Sequence, residues 1–260
     1  MEAILADKRK SLAEKMTRTP LKQMMAESAA VINPPSFKKA VSVKGEVSII
    51  AEMKSKSPSA GDILKDYRPA ALAAQYKSAG AKAFSVLTEE KHFGGSPAHL
   101  AQAIDAANLP ALRKDFIIDA YQIYESRAMG ASCVLLIAAI LDKNLMKELL
   151  RISRETGLDA LAEAHDESEL DAALECGADM VGINNRNLKD LTINLETTFR
   201  LKKRVPNGVC VVSESGIHEP GTVKRLRDEG INAALIGESI LKSRDPEAKL
   251  RTLVLAGQAA

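Results

Sequence analysis

From Val47 onward the chain alternates between two patterns. Short apolar runs rich in Val, Ile and Leu are followed by longer stretches whose apolar positions recur at helical spacing. The short runs predict strands over Ser48–Lys54, Ala83–Thr88, Ala111–Lys114, Cys133–Ile137, Ala160–Glu163, Met180–Asn184, Val209–Glu214 and Ala233–Gly237. Their composition suits strands buried on both faces, as parallel strands are. Between them, helices are predicted over Pro69–Ala79, Asp119–Met129, Asp142–Thr156, Ser168–Cys176 and Pro220–Glu229.

The junctions strengthen the pattern. Gly80-Ala81, Gly130-Ala131, Gly177-Ala178 and Gly230-Ile231 each close a helix a few residues before a strand. Glycine past a helix end supplies the left-handed conformation that a side chain resists. No GxGxxG follows the first strand, so the unit is a repeated βα rather than a dinucleotide-binding pair. Eight such units in 260 residues match an α/β protein of the closed (β/α)8 TIM-barrel type, usually about 250 residues long. An open doubly wound sheet is the alternative, and the strand count favours closure. Ahead of the repeat, Met1 to Met16 read as an amphipathic helix with Ile4, Leu5 and Leu12 on one side. A second helix is expected after Pro20, and Pro34-Pro35 breaks the chain before the main body. One domain over residues 1–260 is expected, with 1–45 as an N-terminal helical extension.

Composition narrows the function classes. The chain is 46% hydrophobic and 27% charged, enough for one large core. A net charge of +2 and the absence of Trp give no case for nucleic acid or a membrane surface. Cys133 and Cys210 lie inside apolar runs and Cys176 precedes a glycine. They are expected as small buried thiols in a reducing cytoplasm, not as disulfides or metal ligands. His92, His99, His165 and His218 are scattered and no CxxC or HExxH occurs, so neither a metal nor a cofactor is expected. Met1 to Met16 mix acids and bases without the apolar core of a secretory signal, and no apolar run approaches membrane-spanning length. The expected partner is a phosphorylated small molecule, bound by a monomer rather than an oligomer.

Charged residues recur where the apolar runs stop. Glu52 and Lys54 close the first strand two residues apart, so alternation sends both to one side. Lys114 closes the third strand and Glu163 the fifth. Asn184 and Arg186 follow the sixth, Glu214, Ser215 and Gly216 the seventh, and Gly237, Glu238 and Ser239 the eighth. Barrel enzymes carry their reactive side chains at these strand ends, and inward Lys and Glu are costly to bury without a purpose. A solvated rim, or buried pairs that merely compensate each other, are the structural alternatives. Glycines beside hydroxyls after the last two strands suggest a phosphate cradle, with backbone N–H groups at a short helix start holding the anion. Ser57, in the loop Ser57-Pro58-Ser59 before Gly61, adds a further hydroxyl candidate; an ordinary Pro/Ser turn is the alternative.

These residues carry a specific resemblance. Ile50-Ala51-Glu52-Met53-Lys54-Ser55-Lys56-Ser57-Pro58-Ser59 resembles the first-strand motif of the indole-3-glycerol phosphate synthase family of the tryptophan pathway. The likeness continues in order through Leu87-Thr88-Glu89-Glu90-Lys91-His92-Phe93-Gly94-Gly95-Ser96 and Leu112-Arg113-Lys114-Asp115-Phe116. It recurs in Gly182-Ile183-Asn184-Asn185-Arg186-Asn187-Leu188, Val212-Ser213-Glu214-Ser215-Gly216-Ile217 and Leu235-Ile236-Gly237-Glu238-Ser239. It implies ring closure of 1-(2-carboxyphenylamino)-1-deoxyribulose 5-phosphate with loss of CO2 and water. It further implies Lys114 as general acid, Lys54 as substrate holder and proton donor to the leaving hydroxyl, Glu163 and Glu52 as base candidates, and Asn184 as an orienting group. Arg186 is implied at the anthranilate carboxylate, and Phe93, Phe116, Leu135 and Leu188 around the aromatic ring. A rim salt bridge for Arg186 and core packing for the leucines remain alternatives. Glu214 and Ser215 are implied as substrate-binding residues. Ser57, Gly216, Gly237, Glu238 and Ser239 are implied at the phosphate, Glu238 through its backbone N–H alone.

Clustered cations and carboxylates should tune one another, with lysine pKa values pulled down by desolvation or neighbouring cations. Ala162 and Ala164 flank Glu163 where the family usually has bulkier β-branched residues, and a looser strand is expected there. Asp62, after Gly61, is expected to change that loop in detail. Two enzymatic rivals stand beside this reading: a Schiff-base barrel using Lys114 or Lys54 as nucleophile, and phosphoribosylanthranilate isomerase. The second would need a cysteine–aspartate pair, and no cysteine falls at a strand's C-terminal end. A catalytically silent barrel serving as a scaffold is the alternative from a different class.

Overall fold

A computed structural model describes every residue except 58–60, 65, 189 and 260, together with all side chains of the described residues save those of Ser57 and Asp62. Three helices come first, α1 (Glu2–Arg18), α2 (Leu21–Ala30) and α3 (Phe37–Val41). β1 (Ser48–Met53) leads into a small antiparallel hairpin, β2 (Lys56–Ser57) with β3 (Gly61–Asp62). The repeat then runs α4 (Pro69–Ser78), β4 (Ala83–Leu87), α5 (Pro97–Ala107), β5 (Ala111–Lys114), α6 (Ala120–Ala128) and β6 (Cys133–Ile137). A 3-10 turn at Ala138–Ile140 precedes α7 (Lys143–Glu155), β7 (Asp159–Ala164), α8 (Glu167–Glu175) and β8 (Met180–Asn184). The chain ends with α9 (Glu196–Lys202), β9 (Cys210–Glu214), α10 (Pro220–Asp228), β10 (Ala233–Ile236), α11 (Glu238–Leu241) and α12 (Pro246–Gly257).

β1 and β4 to β10 form a closed barrel of parallel strands. Closure is made by Ser48↔Ala233 on one side of β1 and Ile50↔Ala83 on the other. This is the (β/α)8 architecture expected from the periodicity. Differences are local. The first strand stops at Met53, leaving Lys54 one residue beyond it, and β7 runs one residue past Glu163. The periodicity did not single out α5, α9 and α12: alanines blur the polar contrast in α5, α9 is under two turns long, and the second half of α12 is apolar.

The helix ends explain why the repeat forms. Ser96, Asp119, Asp142, Asp166 and Asp245 each accept a backbone N–H in the first turn of the helix that follows, a cap contributing about 1 kcal/mol. At the other end Gly80, Gly130, Gly177 and Gly230 all have positive φ. The residue after each donates to a carbonyl five back, as in Ala81 to Tyr76 and Ala131 to Ser126, both 3.0 Å. That is the paired Schellman closure. Gly157 (φ 75) does the same for α7, with Leu158 donating to Ser153.

Side chains alternate across each strand. Ile49, Ala51 and Met53 of β1 pack outward under the helices, while Ile50 joins Leu112, Cys133, Leu135, Leu161, Met180, Cys210 and Val212 in the barrel interior. Phe37 and Val41 of α3, both fully buried, belong to that interior cluster and plug the N-terminal end of the barrel. Their helix is tied there by Ser36 and the Lys38 backbone N–H on Asp159, at 3.0 and 2.9 Å. The looser strand expected around Ala162 and Ala164 is not found. β7 pairs from Cys133↔Asp159 to Ile137↔Glu163 on one side and from Ala162↔Val181 to Ala164↔Ile183 on the other. The two alanines face the outer core, so their small size does not touch the ladder.

α1 lies along the opposite rim. Lys8 pairs with Asp115 at 2.6 Å and Lys15 with Glu125 at 2.7 Å, while Asp7 meets Lys91 at 2.7 Å and His92 at 2.9 Å. Arg127 of α6 donates to the carbonyls of Val31 and Ile32 and to Asn33, holding the irregular segment before Pro34. No helix among the described residues is long and apolar enough to cross a membrane.

Candidate active site

At the C-terminal ends of the strands a cavity of about 410 Å³ opens. It is lined by Glu52, Lys54, Phe93, Lys114, Phe116, Leu135, Glu163, Asn184, Arg186 and Leu188, and by Glu214, Ser215, Gly216, Gly237, Glu238 and Ser239. Of the residues singled out from sequence only Ser57 is missing, because its side chain lies outside the described residues; Pro58 and Ser59 lie outside them altogether.

Strand alternation builds this site. Ile50, Leu112, Leu161 and Val212 form an apolar layer inside the barrel. Two residues further along the same strands come Glu52, Lys114, Glu163 and Glu214, which therefore rise from that layer into the cavity. The carboxylates need room, and two glycines provide it. A Cβ on Gly237 would land on Glu52 Oε2, and one on Gly182 would land on Glu214 Oε1.

Lys114 is the electrostatic hub. Its ammonium donates to Glu163 Oε2 at 3.2 Å and to Glu214 Oε2. Desolvation alone would lower its pKa, but Glu214, Glu163 and Glu52 together outweigh burial and hold it charged, above the usual lysine range. The downward shift expected for the lysines is thus reversed at Lys114, because its neighbours are carboxylates. Lys54 pairs with Glu52 at 2.5 Å. Burial pushes Glu52 up, yet Lys54 and Lys114 overcome it and keep the carboxyl below its ordinary value. Glu163 is also raised by burial, but Lys114 and His165 pull it well below the carboxylate range. Glu214 goes the other way: burial, reinforced by Glu163 and Glu52, exceeds the pull of Lys114 and raises it to about 7. The site thus holds an ionised carboxylate and one poised near neutrality around the same ammonium, which is a usable acid–base arrangement.

The far side of the cavity is polar. Ser215 (φ 69) and Gly216 (φ 78) turn the chain sharply after β9, and a Cβ on Gly216 would strike Ile193. Ser215 Oγ donates to Asn184 Oδ1 at 2.8 Å, which also accepts the Arg186 backbone N–H at 3.0 Å. Those bonds fix the Asn184 amide with its NH2 end as the donor available to the cavity. Arg186 donates to the Leu191 carbonyl at 3.3 Å, so its fork is steadied at the mouth. The Glu238 carboxylate is occupied by Lys242 at 2.5 Å, and the Ser239 hydroxyl donates to the Ile217 carbonyl at 3.1 Å. Phe93 and Phe116 face each other with centroids 6.1 Å apart, tilted 44°.

A model of the indole-3-glycerol phosphate synthase family matches residues 1–253. The chain belongs to that family. The indole-3-glycerol phosphate synthase of Aromatoleum aromaticum is 45% identical over 256 residues, covering 97% of this chain and 98% of the relative. That of Polaromonas naphthalenivorans is 43% identical over 256 residues, covering 97% of each. Among solved structures, 3-hexulose-6-phosphate synthase from Salmonella typhimurium superposes with a TM-score of 0.62 at 15% identity, over 81% of this chain and 98% of that one. At that identity the likeness speaks for the barrel alone.

Three features of this synthase-family site were not given roles from sequence. Glu89, nearly fully buried, accepts the backbone N–H groups of Lys91, His92 and Phe93 at 3.2, 2.7 and 2.9 Å, and so shapes the turn that carries Phe93. Arg113 points outward from β5, buried between Asp115 at 3.1 Å and Glu125 at 2.7 Å. It ties the strand bearing Lys114 to the carboxylates that also receive Lys8 and Lys15 of α1. His165 backs Glu163. A buried acid after a strand and an arginine inside an apolar run were the available signals for the first two. Cys133 and Cys210 open β6 and β9 at the plugged end, remote from the cavity, and burial raises the Cys210 thiol to about 12. Neither fits the cysteine–aspartate rival. Among the described residues no cluster of His, Cys, Asp and Glu is placed to hold a metal ion.

Proposed function

We propose that this chain converts 1-(2-carboxyphenylamino)-1-deoxyribulose 5-phosphate to indole-3-glycerol phosphate by acid–base catalysis in the cavity at the barrel mouth. The observation that carries the reading is Lys114, a buried ammonium kept charged by Glu214 and Glu163 in the floor of a cavity walled by Phe93 and Phe116. Ring closure needs a proton delivered to the ketone oxygen as the aromatic carbon attacks it, and Lys114 is that acid. Loss of CO2 then returns the electrons of the broken carbon–carbon bond to the aromatic ring. Expulsion of the new hydroxyl as water takes a second proton, assigned to Lys54, and Glu163 or Glu52 removes a proton from the adjacent carbon. Two protons are delivered and one is recovered, so each turnover draws one from solvent.

Asn184, fixed by Ser215, supplies an N–H donor to the intermediate. Arg186 receives the anthranilate carboxylate, for which a planar fork is suited. The aromatic ring lies in the pocket lined by Phe93, Phe116, Leu135 and Leu188, and Glu214 and Ser215 complete the substrate contacts. The phosphate lies by Ser57, Gly216, Gly237, Glu238 and Ser239, with Glu238 offering only its backbone. We read residues 1–260 as one domain whose residues 1–45 are a helical extension, working as a cytoplasmic monomer. The cavity lining, drawn from strand ends around one barrel, supports the single domain, and the buried, unpaired cysteines suit a reducing compartment.

Adding the carboxyphenylamino substrate to purified protein should produce indole-type fluorescence together with an equal amount of CO2. Binding without CO2 release would favour a silent scaffold. A lysine adduct trapped by borohydride in the presence of substrate would favour the Schiff-base rival.

A further inference from the structure

His165 does not line the cavity, yet it stands directly behind Glu163. It follows β7 immediately, two residues beyond Glu163, so both side chains turn to the same side of the strand. Its backbone N–H and its Nδ1 both meet Glu169 Oε2, at 2.8 and 2.9 Å. Its Nε2 is 3.3 Å from Glu163 Oε1, an ion-pair contact outside hydrogen-bond geometry. Ionised carboxylate oxygens only accept hydrogen bonds. With such an oxygen beside each ring nitrogen, the imidazolium is the favoured form. Its side chain is 9% exposed and that of Glu169 is 20% exposed, so little water competes for these contacts.

The supports are rigid. Glu169 sits in the first turn of α8, where its own N–H is capped by Asp166 at 2.9 Å. Glu163 thereby has a cation beside each oxygen: Lys114 from β5 donates to Oε2, and the His165 ring stands 3.3 Å from Oε1. The charged groups facing the imidazole are Glu163 of β7 and Glu169 and Asp166 from α8 and its cap, all of them acids.

We infer that His165, clamped by Glu169, is a positioning residue that fixes the Glu163 carboxylate for proton abstraction. The inference rests on the reading of Glu163 as the base. Lys114 alone holds one oxygen and leaves the carboxyl free to swing about it, whereas a second cation beside the other oxygen restricts that swing. Misplacing a reacting group by about 1 Å can cost on the order of 10²-fold in rate. Substrate binding does not use the histidine, so the loss should fall on kcat rather than KM.

The test is a set of kcat and KM profiles from about pH 6 to pH 10.5 for the parent, Glu169→Gln, His165→Gln and Glu163→Gln. In the parent, His165 is raised to about 10 because its two carboxylate partners outweigh burial, so the imidazolium persists across neutral pH. Glu169→Gln removes one of those carboxylates, and its turnover should fall at a lower pH than the parent's, with KM unchanged. His165→Gln keeps a neutral donor near Glu163 and should lose about 10- to 100-fold in kcat, with KM within about threefold. Alkaline limbs that coincide for Glu169→Gln and the parent would overturn the inference. So would a His165→Gln kcat within about twofold of the parent at every pH. If His165→Gln fails to fold, the Glu169→Gln profile decides alone. Retained turnover in Glu163→Gln would instead remove the reading of Glu163 as base, separating the two failures.

Discussion

Replacing Lys114 by Met removes the cation between Glu163 and Glu214 while keeping much of the stem's volume. Glu163 loses a partner at 3.2 Å and Glu214 loses its nearer one. Breaking one side of a buried ion pair costs about 3–5 kcal/mol while the stranded charge stays ionised. Here the stranded groups can take up protons instead. Glu214, at about 7 in the parent, must rise further, and Glu163 loses the largest influence that lowers it. An acid raised on folding binds protons that the unfolded chain has released. Stability therefore falls as pH climbs from the unfolded value of 4.5 through the folded one. In Lys114→Met that fall is steeper and reaches higher pH, so the deficit is smallest in acid and approaches about 3–5 kcal/mol in alkali, roughly 10 °C in Tm. Turnover should drop about 10²- to 10⁴-fold, the usual worth of a general acid, with a much smaller change in KM. Product fluorescence at saturating substrate gives the first quantity, and melting curves at acid and alkaline pH the second. Adding Glu214→Gln should restore alkaline stability without restoring turnover. A kcat within about tenfold of the parent, or a Tm deficit that shrinks as pH rises, would refute this account of Lys114.

Two further outcomes follow from the packing. Gly237 has negative φ, and the methyl group of Gly237→Ala overlaps Glu52 Oε2. Glu52 must leave Lys54, and we expect kcat/KM to fall at least about tenfold with Tm changed by only a few degrees; unchanged steady-state kinetics would show that Glu52 is not needed where it stands. Arg113→Met takes the buried cation from between Asp115 and Glu125 and should cost about 3–5 kcal/mol in denaturant melts, because Lys8 and Lys15 are then the only cations paired with those acids among the described residues. A loss below about 1 kcal/mol would mean that the two lysines already suffice.

The barrel was legible because its signals are local. Apolar runs and helix-ending glycines each act within a few residues, and their repetition identifies the architecture. The layer of charged side chains in the cavity was legible for the same reason: Glu52 and Lys54 lie two apart, and each charged strand end breaks an apolar run. Partner choice was not legible. That Lys114 pairs with Glu214, a hundred residues away, follows from closure of the barrel, which no local pattern encodes. The sign of its pKa shift depends on that closure, since burial pulls it down and the three carboxylates brought around it push it up. Arg113 belongs to the same strand as Lys114 yet points the opposite way, into a network completed by α1 and α6. The short hairpin after β1 and the helix α9 carry too few residues for periodicity to register.

Gly182 occupies the volume beside Glu214 Oε1 that a methyl group would need. The two positions lie on neighbouring strands, with Gly182 opposite Val212 and Glu214 opposite Asn184, and the Glu214 side chain reaches back over the glycine. A side chain at 182 becomes possible only after 214 has shortened, and shortening 214 first removes a ligand of Lys114. Paths through sequence space that would fill this corner of the barrel must therefore disturb the carboxylates around Lys114 at their first step. Filling it cleanly takes two coordinated changes rather than one.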